Sequence, residues 1–189
     1  CPANGVARRI FFPRARILEI NSKTGLYPLY MAYSMFRTHP QYKKIDDSKL
    51  WKEVLRNNIF VICKTPMALQ ITKRTLGGFG DFETNVIYIE DLIAKAKDNL
   101  KKLNIEISNQ FGFGGNEMKF DAIVGNPPYQ MLDGGAAASA TPVYNSFVDL
   151  SKYINPNFAS MIIPSRWMTG GKGLDDFRDS MIHDRRFKV

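Results

Sequence analysis

The sequence predicts an α/β protein with a doubly wound, mostly parallel sheet. Five short apolar runs, at residues 16–20, 59–63, 86–89, 122–124 and 158–163, alternate with stretches of helical spacing, the pattern of repeated strand-helix-strand units. The run Ala122, Ile123, Val124 is continuous rather than alternating, as for a strand covered on both faces. The carboxyl ends of these runs carry Glu19, Cys63, Asp91 and Asn126, and that end of such a sheet is where ligands bind.

The elements follow in order. Residues 1–12 hold Arg8 and Arg9 before Ile10, Phe11 and Phe12 with no clean period, so residues 1–15 are read as an N-terminal extension. Residues 16–20 form the first strand and 21–25 a polar turn. A helix runs from there to about Thr38, with Pro28 tolerated in its first turn and Pro40 stopping it. Residues 43–56 are basic and helix-like, with Ser48 as N-cap and Leu50, Trp51, Val54 and Leu55 at helical spacing. After the strand 59–63, Thr65 and Pro66 open a helix over 67–76. Gly77, Gly78 and Gly80 make a flexible connection to the strand 86–89 and a lysine-rich helix over 92–103.

Gly112, Gly114 and Gly115 invite a phosphate-loop reading. It fails, because no lysine-serine or lysine-threonine pair follows and no helix starts there, and 110–117 is read as a turn. Residues 130–140, small and glycine-bearing, are either a mobile substrate-side loop or a linker. A helix begins over 141–150, the strand 158–163 follows, and residues 174–182 form a last helix bearing Arg178. Residues 185–189 read as the opening of a further strand, so the sheet is expected to be incomplete at its C-terminal end.

Length and composition set the outer limits. At 189 residues, 44% hydrophobic and 12% aromatic, the chain supports one domain with a full core. A net charge of +8 and a pI near 9.5 suit an acidic partner such as nucleic acid. With only Cys1 and Cys63 present, neither a disulfide framework nor a multi-cysteine zinc site can be built, and no metal is expected. No apolar run reaches membrane-spanning length and no secretory signal opens the chain, so a cytoplasmic setting is expected.

The chemistry concentrates in residues 120–129, Phe-Asp-Ala-Ile-Val-Gly-Asn-Pro-Pro-Tyr. A buried strand runs into Gly125, and two prolines then fix the backbone. Each holds its own φ near −65°, and Pro127 also pushes Asn126 out of the helical region. The result is a rigid polar hook with an aromatic ring beside it. The Asn126 amide oxygen and a main-chain carbonyl can both accept from an exocyclic amino group, and Tyr129 offers a face for a planar base.

Asn126-Pro127-Pro128-Tyr129 resembles the motif of amino-directed, S-adenosylmethionine-dependent methyltransferases, above all the adenine-N6 DNA methyltransferases of restriction-modification systems. The run 158–167, Phe-Ala-Ser-Met-Ile-Ile-Pro-Ser-Arg-Trp, resembles the same family, in which this strand supports the base pocket. The resemblance implies a Rossmann-like class I methyltransferase domain over 16–189, with S-adenosyl-L-methionine as cofactor and a flipped adenine in DNA as target. In that family the first strand ends in an acid and an Asp-Pro-x-x-Gly-x-Gly turn around the methionine part of the cofactor. Residues 19–25 take that place, so Glu19, Asn21, Thr24 and Gly25 are implied to bind it, with Lys23 where the first glycine belongs. Cys63 falls where the family's ribose-holding acid stands, and Asp91 with Leu92 where it holds the cofactor's adenine. Asp91 serves equally well as an acidic N-cap for the next helix.

A complete family member also carries a target-recognition domain, so a target-recognition or restriction domain or subunit is expected outside this chain. Other readings use the same hook. A protein-glutamine N5 methyltransferase presents a side-chain amide in similar geometry, and no residue separates an RNA adenine from a DNA adenine. From a different class comes a cofactor-less nucleic-acid-binding module that retains the fold, which Lys23 and the missing ribose acid favour.

Overall fold

The computed structural model describes residues 13–78, 80, 82–114, 119–131 and 141–186. Five parallel strands form one sheet: β1 (Ile17–Ser22), β2 (Ile59–Cys63), β3 (Asn85–Tyr88), β4 (Ala122–Gly125) and, after a two-stranded ribbon, β7 (Phe158–Met161). Their order across the sheet is β3-β2-β1-β4-β7. The ribbon pairs β5 (Gln130–Met131) with β6 (Thr141–Pro142) in antiparallel fashion.

Strand periodicity sorts the core into two layers. Ile17, Val61, Cys63 and Ala122 face the first layer, built from α1 (Leu26–Thr38), α2 (Asp47–Asn57) and α3 (Pro66–Gly77). Leu18, Ile20, Phe60, Ile62 and Ile123 face the second, built from α4 (Leu92–Asp98), α5 (Leu100–Gln110) and α6 (Tyr144–Ile154). Burial on both faces explains why β2 reads as an unbroken apolar run, while β1, equally buried, carries Glu19, Asn21 and Ser22 among its apolar residues. The chain winds outward from β1 to β3 under one layer, returns across the other, and lays β4 on the free side of β1. The strand order therefore reverses between β1 and β4, the point of such a sheet at which ligands bind beyond the carboxyl ends of the strands. A smaller cluster of Tyr144, Val148, Trp167, Leu174, Phe177 and Met181 ties α7 (Asp175–Ile182) to α6.

Local chemistry sets the helix ends. Thr65 accepts from the Ala68 amide at 3.0 Å and Pro66 stands in the first turn of α3, as expected. The cap of α2 is Asp46, not Ser48: its carboxylate accepts from the Lys49 amide at 2.9 Å, and Ser48 lies inside the helix. The stretch expected as one helix over 92–103 is two. Asn99 is extended, with φ −156° and ψ 99°, and its side chain caps α5 by accepting from the Lys102 amide at 2.9 Å. An asparagine that bonds the backbone ahead of it competes with the continuing helix. Thr141 and Pro142 belong to β6 rather than to α6. The last strand stops at Met161, two residues short of the expected end. Arg185 and Arg186 form a turn, and the rest of the strand expected over 185–189 lies outside the described residues, as do residues 1–12, 115–118 and 132–140.

Candidate active site at the carboxyl rim

The hook occupies the reversal point. β4 pairs β1 with Gly125 opposite Ile20, so residues 126–129 leave the sheet beside the turn that follows β1. Gly125 is needed at that packing density, since an added Cβ would lie 3.0 Å from the Ile20 carbonyl oxygen. Pro127 is buried, Asn126 and Pro128 are half-buried, and Tyr129 keeps 44% of its surface exposed. The Asn126 side chain makes no hydrogen bond among the described residues, so its amide oxygen is free to accept. From the far side the hook is held by the Val143 amide, which donates to the Tyr129 carbonyl at 3.3 Å. The β5–β6 ribbon brings that residue, at the head of α6, to the hook.

The β1 turn braces the hook from the other side. Asn21 has φ 75°, a left-handed conformation that asparagine tolerates better than most residues. Its side-chain Nδ2 donates to the Asn126 main-chain carbonyl at 2.9 Å. The resemblance placed Asn21 at the cofactor; in the structure its amide nitrogen is spent on the hook. A polar turn residue was legible in the sequence, but nothing there points to a partner 105 residues away.

The rest of the turn is docked on α3. Gly25 has φ 77°, and a Cβ there would meet the Thr72 Cα at 3.0 Å. Thr75 Oγ1 donates to the Thr24 carbonyl at 2.8 Å. Thr72 and Thr75 were not singled out by sequence, although they set the height of the turn. Lys23 and Thr24 are exposed at its tip.

Glu19 lies deeper than the rim. It sits in the middle of β1, opposite Val61 and Val124, and is 3% exposed. Burial pushes its carboxyl up to about 7, against the Ser22 hydroxyl and the Lys23 charge, which favour the ionised form. Its Oε2 has no hydrogen-bond partner, an uncommon state for a buried polar atom. Cys63 ends β2 with its thiol turned into the core, 1% exposed, and burial pushes it up to about 11, with the Thr72 hydroxyl opposing.

Asp91 follows β3 on the same rim, exposed, with φ 52°. It occupies the N-cap position of α4, yet its side chain makes no capping bond, so the carboxylate remains available. Leu92 packs into the second core layer. The structure thus gathers Asn21, Asn126 and Tyr129 with the Thr24–Gly25 turn at the reversal point, and leaves Asp91 two strands away across β1 and β2. Among the described residues no group of three His, Cys, Asp or Glu side chains could hold a metal ion, and no helix is long and apolar enough to cross a membrane.

A doubly wound sheet with an Asn-Pro-Pro-Tyr hook at its reversal point defines a Rossmann-like methyltransferase fold. The family model for Eco57I restriction-modification methylases matches residues 57–189, and the chain belongs to that family. The match includes the hook but not the β1 turn. The chain is also 33% identical over 86 residues to a Mycoplasma pneumoniae protein named "Uncharacterized adenine-specific methylase". That similarity covers 44% of this chain and 20% of the relative, so the chain spans about a fifth of the curated protein it matches.

Proposed function

We propose that this chain forms the catalytic domain of an S-adenosylmethionine-dependent DNA methyltransferase that modifies adenine at N6 within a restriction-modification system. The observation that carries the reading is the braced hook, a free amide acceptor held rigidly at the reversal point of a methyltransferase sheet. Family membership and the name of the Mycoplasma pneumoniae relative support it. In this reading residues 16–189 are the catalytic domain, residues 1–15 precede it, and a target-recognition or restriction domain or subunit accompanies it in the cytoplasm.

The residues present fit the cofactor. Glu19 is buried beneath the β1 turn and touches no ligand at the rim, but its carboxylate, when ionised, would favour a cationic ligand above the turn through its charge. The exposed Asp91 carboxylate can accept from an exocyclic amine, Leu92 offers apolar surface beside it, and the end of β2 at Cys63 lies between these two. S-adenosylmethionine, when bound, supplies an electrophilic methyl group. The hook does the rest. Asn126 Oδ1 and the Pro127 carbonyl accept from the two hydrogens of the adenine N6 amine, which aims the nitrogen lone pair away from the hook and stabilises the positive charge that grows on nitrogen. Tyr129 stacks on the extruded base and replaces the partners that the base loses on leaving the duplex.

The test is product analysis. The full chain, incubated with duplex DNA and a methyl-labelled cofactor, should place label in N6-methyladenine on nucleoside digestion. Label in RNA alone, or on a glutamine of a co-purified protein, would replace the substrate assignment. The absence of cofactor binding by calorimetry would favour a nucleic-acid-binding module.

A further inference from the structure

The segment after β7 carries the longest run of left-handed backbone among the described residues. Gly170, Gly171, Lys172 and Gly173 have φ of 71°, 78°, 50° and 76° in succession. Glycine occupies that region freely, whereas lysine does so only where its surroundings over-determine it. Here they do. The Gly171 amide donates to Asp175 Oδ1 at 2.9 Å, and an added Cβ on Gly170 would come within 2.5 Å of the same oxygen. Arg178 Nε donates to the Met168 carbonyl at 2.9 Å. Trp167 is buried against Phe177, with ring centroids 6.1 Å apart.

The chain enters this loop beside the hook. The Ile162 amide donates to the Gly125 carbonyl at 2.9 Å, so the chain leaves β7 alongside Asn126. Trp167 shares its cluster with Tyr144, the residue after the Val143 that holds Tyr129. Two exposed cations project from the loop, Arg166 and Lys172, and neither side chain makes an ion pair or hydrogen bond among the described residues. Of the acids on α7, Asp175 accepts from Gly171 and Asp179 stands 3.6 Å from Arg178, leaving Asp176 in solvent. Tyr129 and Met131, which follow β4, and Ile162 and Met168, which follow β7, are exposed at 44%, 47%, 51% and 48%, a mix of apolar and cationic groups suited to an opened nucleic-acid strand.

Resting on the DNA-adenine reading above, we propose that residues 165–173 dock the DNA strand that carries the extruded base, with Arg166 and Lys172 each neutralising a phosphate flanking it. The backbone beneath both side chains is set before the strand arrives, by the 3-10 helix Ser165–Thr169 under Arg166 and by the left-handed run under Lys172, so little backbone ordering is needed on binding. Arginine meets a phosphate as a fork and lysine as a point charge.

Two variants of the full chain test this, Arg166→Ala and Lys172→Gly, with a fluorescent DNA duplex holding one unpaired adenine titrated between about 50 and 200 mM salt. Each loses one phosphate contact, so the slope of log affinity against log salt should fall by about 0.9 in each. Lys172→Gly should at the same time raise the melting temperature by about 2 to 4 °C, because it releases the left-handed strain. Stabilisation with weaker DNA binding is a pairing that a purely structural role for Lys172 does not produce. The melting shift caused by S-adenosylmethionine should be unchanged in both variants. Parental slopes in both variants, with the parent still binding and methylating DNA, would overturn the docking role and leave the adenine reading intact. No binding of the duplex by the parent, or tighter binding of an RNA of the same sequence, would overturn both.

Discussion

The Asn21 side chain donates to the Asn126 main-chain carbonyl at 2.9 Å, and so joins the turn after β1 to the hook after β4. This one bond couples the two halves of the reversal point. Replacing Asn21 by glycine keeps the backbone at φ 75° and removes only the bond. We expect Asn21→Gly to lower methyl transfer by about tenfold, as for a small loss of positioning, with little change in stability. Asn21→Ala should lose similar activity and a further 1 to 2 kcal/mol or so of stability, because alanine is strained in the left-handed region. Urea unfolding beside single-turnover rates distinguishes the two, and full activity in both would show that the hook needs no brace.

Asn126→Ala leaves the main-chain carbonyl that Asn21 holds and removes only the free amide. Methyl transfer should fall by at least about a hundredfold, as for loss of one preorganised polar contact, while cofactor affinity changes little. Tyr129→Ala should weaken engagement of the flipped base by about 1 to 3 kcal/mol, and Tyr129→Phe should be mild because the ring face is kept. Rates at parental level in Asn126→Ala would reduce the hook to a turn.

Asp91 occupies a cap position without capping. Asp91→Gly, which keeps the left-handed backbone at φ 52°, should therefore cost the apo protein little, well under the ~1 kcal/mol of a lost side-chain cap, yet abolish the rise in melting temperature caused by S-adenosylmethionine. A mutant that melts early and still shows the full ligand shift would return Asp91 to a structural role.

Glu19 gives the fold a pH dependence of unusual sign. Burial raises its carboxyl from 4.5 to about 7 in the folded chain, so folding favours the protonated form. This contribution is complete below about pH 4.5, shrinks as pH rises, and is lost above about pH 7. A displacement of that size corresponds to about 3 kcal/mol. Glu19→Gln carries no charge, so its urea-unfolding free energy should vary less between about pH 5 and pH 8 and exceed the parent's at the upper end. Equal slopes for parent and mutant would mean that the ionised carboxylate finds a partner.

Much of this was legible in the sequence. The five strands were, because each is a compact apolar run whose burial needs no knowledge of its neighbours. The hook was legible because proline acts on adjacent bonds. What escaped depends on partners distant in sequence or on competition between near-equal local options. Asp46 and Ser48 are both good caps, and only the geometry of the first turn chooses between them. Asn99 breaks a helix whose lysine-rich pattern continues across it. Glu19 was expected at the rim because it stands near the end of an apolar run, but β1 continues through Asn21 and Ser22 and buries it.

The central position of β1 also sets the timetable on which the protein comes off the ribosome. β1 meets its first partner, β2, within about forty residues of synthesis, but the partner for its other edge, and the Asn126 carbonyl with it, lies 105 residues downstream of Asn21. At ribosomal rates of about 5 to 20 residues per second, that edge stays open for roughly 5 to 20 s. The nascent chain thus carries an unpaired apolar strand edge for all that time, and chaperone demand during translation should fall on the interval between the emergence of β1 and that of β4.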